Sequence, residues 1–160
     1  MNRVAFSAEE VPLPPWKKEA ERFTLRVLSR LKRKNWDLSV LFCGNGTIKR
    51  LNAEYRNRNE PTDVLSFILG ETVPDPKGGS RYLPGDIVVS LDALAENARY
   101  FGVSPDEELR RLLIHGILHL DGLDHRTNKP GEPMLQLQEK ILKELAQERI
   151  IPAHLTGAEG

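Results

Sequence analysis

Apolar residues recur along this chain in two rhythms, and the changes of rhythm mark its elements. Across residues 14–34, Trp16, Ala20, Phe23, Val27 and Leu31 return every third or fourth position, on one face of a predicted helix. Pro14 and Pro15 suit its first turn, where a missing N–H leaves nothing unsatisfied. At 36–43 the rhythm turns to alternation, with Leu38, Val40 and Phe42 on one side of a predicted strand. Residues 4–6 are a candidate first strand. Gly44-Asn45-Gly46 reads as a turn, after which Thr47 caps a helix carrying Ile48, Leu51 and Tyr55. Residues 64–69 and 86–90 are short apolar strands. Between them, 72–84 holds three prolines and two glycines and is expected to be a loop. Residues 91–101 form a helix closed by Gly102, and Ser104-Pro105-Asp106-Glu107 opens the next. A last helix is expected over about 132–147. Few strands among many helices predict an α+β fold.

Composition narrows the class. The chain has 160 residues, enough for one domain with its own core. Residues 1–151 are expected to form that domain, and 152–160 a flexible tail that includes a solvated His154. With 39% hydrophobic and 29% charged residues, a disordered or membrane chain is excluded. The first 15 residues lack the apolar core and cleavage site of a signal peptide. Cys43 is the single cysteine, so no internal disulfide can form. A cytoplasmic, reducing setting is the expectation.

Zero net charge conceals an asymmetry. Residues 1–58 carry 13 Lys/Arg against 6 Asp/Glu, a balance of +7, and the remainder carries 10 against 17, a balance of −7. Lys17, Lys18, Arg22, Arg26, Arg30, Lys32, Arg33 and Lys34 supply much of the excess. Such a surface is either an ordinary solvated helix face or one that attracts a polyanion.

The chemistry lies in the helix expected at 105–121. Leu109, Leu112, Leu113, Ile117 and Leu120 form a continuous apolar face, so the helix is expected to be buried. His115 and His119 are four residues apart on it, which brings two imidazoles to one side. Gly122 can end the helix and turn the chain so that His125 approaches the same point. Three of the chain's four histidines thus fall within eleven residues. Three protein nitrogens on zinc leave one position open for water, the pattern of a catalytic rather than a structural site. The ligand spacing matches that of metzincin proteases, which carry glutamate directly after the first histidine as general base. Here that residue is Gly116, so the protease base is missing.

The run His115-Gly116-Ile117-Leu118-His119-Leu120-Asp121-Gly122-Leu123-Asp124-His125 resembles the HGxLHLxGxDH signature of the YbeY family. Leu51-Asn52-Ala53-Glu54-Tyr55-Arg56 with Pro61-Thr62-Asp63-Val64-Leu65-Ser66-Phe67 is similar to the family's LNxxYR…PTDVLSF segment. Gly85-Asp86-Ile87-Val88-Val89-Ser90 is similar to its GDIVIS strand, and Met134 and Glu139 to a weaker motif. The resemblance covers about residues 36–147. Two departures stand out: Ile68 replaces a usual proline, and Asn59 a usual aspartate.

The resemblance implies a bacterial single-strand-specific endoribonuclease active in ribosomal RNA processing, at the 3′ end of 16S rRNA, and in ribosome quality control. It implies a small mixed sheet surrounded by helices, with a metalloprotease-like core around the metal-binding helix. It places the metal ligands at His115, His119 and His125, for one Zn2+ per chain, and the functional arginine at Arg56. The implied partners are single-stranded RNA or an rRNA precursor, and the ribosome or ribosomal proteins, with no membrane. Asp63, Asp86 and Asp124 are candidate bases, with Asp124 better suited to orienting or capping. The nucleophile is either water or the substrate's 2′-hydroxyl. Two alternatives stand beside this expectation: a metal-dependent hydrolase or peptidase of another substrate class, and a non-catalytic ribosome-assembly factor with a structural metal.

Overall fold

Alternation at 36–43 builds β2 (Asp37–Cys43), which lies between β1 (Arg3–Ala8) and β4 (Ser80–Ser90), parallel to both. β3 (Val64–Pro74) pairs antiparallel with β4, so the sheet is mixed, with order β1-β2-β4-β3. The computed structural model describes residues 1–156, without the side chains of His154 and Thr156.

The helices are α1 (Lys17–Arg30), α2 (Asn45–Arg56), α3 (Leu91–Phe101), α4 (Pro105–Leu120), α5 (Pro133–Glu144) and α6 (Ala153–Thr156). The predicted stripe on α1 is buried at Ala20, Phe23 and Val27. One cluster of buried apolar residues runs from Phe6 to Ile151 and includes most of α4. Among the described residues no helix is long and apolar enough to cross a membrane.

Three expectations need correction. The stretch 72–84 is not a loop: β3 continues to Pro74 and β4 begins at Ser80. The glycines belong to a tight hairpin turn in which Gly78 N–H donates to Asp75 O and Lys77 N–H to the Asp75 carboxylate. Pro84 lies opposite a register shift between Ile68 and Glu71, so its missing N–H breaks no ladder pair. The helix expected over about 132–147 is α5, which ends earlier, at Glu144, and is followed by the short α6. Finally, Gly44-Asn45-Gly46 is not a separate turn, and Thr47 does not cap α2, which begins at Asn45 with Gly44 as N-cap. The carboxylate of Glu10 accepts from Thr47 N–H at 2.8 Å, and Asp92 accepts from Asn45 N–H at 2.9 Å. These helix donors hold the Glu10 carboxyl below the ordinary glutamate value. A Cβ on Gly46 would fall 2.5 Å from Glu10 Oε2, so the glycine makes room for a cap that arrives from elsewhere in the chain.

The chain is tied down just before the expected tail. Ile150 and Ile151 are buried, and both backbone N–H groups donate to Asp106 Oδ1, at 2.7 and 2.8 Å. Asp106 Oδ2 accepts from Arg110 Nε at 3.0 Å. Residues 157–160 lie outside the described part.

The charge asymmetry has a structural counterpart. Arg26 pairs with Glu148, Arg30 with Glu144, and Arg33 with Asp121, so the basic first part docks on the acidic second part. Solvent screens such pairs, so they add little to stability. Their larger effect is to occupy cations that the sequence leaves available to a polyanion.

Candidate metal centre and its cleft

α4 carries the site because it is anchored on every side. Ser104 Oγ accepts from Glu107 N–H at 3.0 Å, and acidic residues in the first turn suit the positive helix end. Gly116 crosses β4 so closely that a Cβ there would lie 2.9 Å from two carbons of Ile87. The position that carries glutamate in the protease frame is thus pressed against the sheet, and no side chain fits without parting helix from sheet.

His115 and His119 bring their Nε2 atoms to 3.0 Å from each other. Past Leu120 the helix closes: Gly122 N–H donates to His119 O and Leu123 N–H to Leu118 O. Gly122 takes φ +96°, a conformation glycine adopts readily, and the chain folds back. His125 then stands with its ring centroid 5.3 Å from that of His115 and 5.6 Å from that of His119. One ligand nitrogen from each ring lies within 4.8 Å of the others.

The hydrogen bonds fix where the ring protons sit. His115 Nδ1 lies 2.6 Å from Gln138 Oε1, His119 Nδ1 lies 3.1 Å from Leu123 O, and His125 Nδ1 lies 2.8 Å from Thr127 O. Each of these oxygens can only accept, so each Nδ1 carries a proton, and in a neutral ring Nε2 is left bare. Burial, reinforced by the neighbouring imidazoles, holds His115 and His119 below the ordinary histidine value. Lone pairs therefore face each other with no proton between them, which is unfavourable unless a cation lies among them. Tetrahedral zinc with Zn–N of about 2.0–2.1 Å places two imidazole nitrogens roughly 3.3 Å apart, close to the observed separation. The donor set fits a divalent ion of that kind. Among the described residues no other group of His, Cys, Asp and Glu converges this way.

The pair opens on a cleft of about 390 Å³ lined by His115, His119, Arg56, Ser66, Ile68 and Asp124, among others. Arg56, the last residue of α2, donates from Nη2 to Ser66 O and lies 5.6 Å from the Phe67 ring centroid. Its guanidinium retains other N–H groups. Ser66 Oγ in turn donates to Gly116 O at 3.4 Å, which ties β3 to α4 beneath the cleft.

The three candidate bases separate. Asp86 is on the opposite face of the sheet, in a second cleft with Ser39, Tyr55 and Phe67. Asp63 accepts from Asn97 Nδ2 at 3.0 Å and does not line the histidine cleft. Asp124 does line it, and its Oδ1 accepts from the backbone N–H of His125. Met134 is buried in the core. Sequence spacing does not point to Gln138, which is 23 residues from its partner. A signal existed nonetheless: a glutamine falls on the apolar stripe of α5 with Met134, Ile141 and Leu142.

Residues 4–146 match the sequence model of a family described as Endoribonuclease YbeY. The chain belongs to the YbeY family. The match starts well before the first of the family's motifs and takes in all of the sheet but Arg3. The Endoribonuclease YbeY of Treponema denticola is 51% identical over 122 residues, 76% of this chain and 79% of that protein. The counterpart from Treponema pallidum is 45% identical over 142 residues, 89% of each. The solution structure of TM1509 from Thermotoga maritima is similar with a TM-score of 0.57 and 30% identity, covering 92% of this chain and 91% of that one. The Treponema relatives thus share the sequence, and TM1509 shares the α+β architecture on which the cleft is built.

Proposed function

We propose that this protein is an endoribonuclease that cleaves single-stranded RNA with one zinc ion held by His115, His119 and His125. The observation that carries this is the convergence of three imidazoles, two of which line one cleft with an arginine. Zinc would supply a Lewis acid that polarises a phosphodiester oxygen and acidifies water. Arg56 binds the phosphate through its free N–H groups and stabilises the charge that grows there on cleavage. The Ser66 carbonyl and the Phe67 ring aim its guanidinium. Asp124 keeps the His125 backbone in place through its Oδ1 bond. Gly116 supports RNA over peptide as substrate, because the proteases' base position is closed by Ile87.

The family extends this reading to biology. The substrate is an rRNA precursor, processed at the 3′ end of 16S rRNA, with a further part in ribosome quality control. The ribosome or its proteins are partners in the cytoplasm, and residues 1–151 act as the single unit that carries the activity.

The test is cleavage of single-stranded RNA, duplex RNA and an unfolded protein, with and without chelator, by protein purified without nickel resin. Loss of single-strand cleavage on chelation and its return with zinc are expected. Arg56→Ala should retain zinc and lose about 100- to 1,000-fold in cleavage. Cleavage of the polypeptide but not of RNA overturns the proposal.

A further inference from the structure

The helix α5 presents Met134, Gln138, Ile141 and Leu142 to the interior. Three of these are apolar. Gln138 is 7% exposed, and a buried amide must be bonded at both ends. Its Oε1 is the atom 2.6 Å from His115 Nδ1, and its Nε2 donates to Glu139 Oε2 at 3.0 Å. The opposite amide orientation would set Oε1 against the Glu139 carboxylate, acceptor against acceptor. Glu139 is itself fixed, because Arg111 Nε donates to Oε2 at 3.0 Å and Arg111 Nη2 to Oε1 at 3.1 Å. Arg111 also donates to Glu107 and Glu108 on its own helix. Donors thus converge on the Glu139 carboxylate, from Arg111 on one side and from His115 through the Gln138 amide on the other.

His115 needs such a partner more than the other two rings do. His119 and His125 use backbone carbonyls at 123 and 127, where the chain has left the helix. His115 lies inside α4, where the surrounding carbonyls are engaged in helix bonds. The acceptor for its Nδ1 is instead a side chain from α5.

We propose that Gln138 is a positioning residue that fixes His115 as the Nδ1–H tautomer with Nε2 bare, and that Glu139 and Arg111 set the orientation of the Gln138 amide. The inference deepens the metal-site reading and rests on it for the use of that nitrogen, but its first test needs neither metal nor RNA. In metal-free protein with 15N-labelled histidine, the ring nitrogen shifts report each tautomer. Wild type shows His115 protonated at Nδ1. Gln138→Leu shifts His115 toward the Nε2–H form and leaves His119 and His125 unchanged, whereas Gln138→Glu retains the Nδ1–H form. Glu139→Ala, on the outer side of α5, frees the amide to turn and gives a mixture, so the proposal stays testable if the leucine variant fails to fold. Zinc titration against a chromophoric chelator should show affinity falling about 10- to 100-fold in Gln138→Leu and staying near wild type in Gln138→Glu. The same His115 tautomer in wild type, Gln138→Leu and Glu139→Ala, with zinc affinity within twofold, overturns the proposal. If wild type takes up no zinc, the metal reading fails while the tautomer measurement still decides the role of Gln138.

Discussion

His115 and His119 project from a helix whose residues are mostly buried, whereas His125 belongs to 121–132, a connection whose residues are mostly exposed. The first two rings have their separation set by the helix pitch and by the packing of Gly116 on Ile87. The third is set by a glycine turn and a bond to Thr127 O. One half of the centre is preorganised, and the other can adjust by small backbone rotations. Two fixed nitrogens and one adjustable nitrogen let a rigid core accept an ion without demanding perfect geometry from every ligand.

The largest effect should come from disturbing the fixed half. Gly116→Glu, which restores the protease-like residue, forces a charged side chain between α4 and β4. A loss of about 3–5 kcal/mol in urea unfolding is expected, with no gain of peptidase activity. A well-folded Gly116→Glu protein would show that the helix and sheet are less closely fitted than the Ile87 contact indicates.

Next, the two halves should differ in metal binding. His115→Ala should weaken zinc at least about 100-fold, beyond the effect of losing an outer hydrogen-bond partner. His125→Ala should cost on the order of tenfold less, because the preset pair remains. Equal losses in a chelator competition would remove the distinction between the halves. A smaller effect is expected at the joint. Gly122 has no atom within 4 Å of a would-be Cβ, so Gly122→Ala meets only the backbone cost of φ +96°. About 1 kcal/mol of stability should be lost by chemical unfolding, with zinc affinity reduced rather than abolished.

The smallest effect tests the buried part away from the histidines. Burial, with Glu10 and Glu9 nearby, pushes the Cys43 thiol up to about 11. An unfolded chain ionises near ~8.5, so the thiol's contribution to stability is intact below that pH and declines as pH rises toward 11. A Cys43→Ala variant should lack this alkaline component, and folded wild type should resist thiol alkylation at pH 8.

Much of this comparison is legible in the sequence because it is local. Spacing of four on a helix and a glycine before the third histidine are enough to gather three rings, and the apolar stripe of α1 follows from the same periodicity. What escapes is what depends on residues far apart. Glu10 caps a helix that begins 35 positions later, so Thr47 looks like the nearer choice. Pro74, Gly78, Gly79 and Pro84 carry the composition of a loop, and only pairing across the hairpin reveals strands that place proline at an end and at a bulge. The metal ligands are visible from spacing, but the oxygen that orients His115 is not, because α5 returns to α4 through tertiary packing alone. The basic residues of 1–58 invite a polyanion until Arg26, Arg30 and Arg33 are found against carboxylates from the other part of the chain.

Asp106 stands in the first turn of the histidine helix, and two of its three donors are the backbone N–H groups of residues 150 and 151. During synthesis those donors leave the ribosome only after Arg56 and all three histidines. Until then the carboxylate must be satisfied by water, and the start of α4 cannot reach its final burial. A nascent chain stopped before Ile150 would carry all three histidines and Arg56 on an unfinished foundation. The order of translation therefore delays full assembly of this centre until residues 150 and 151 have emerged.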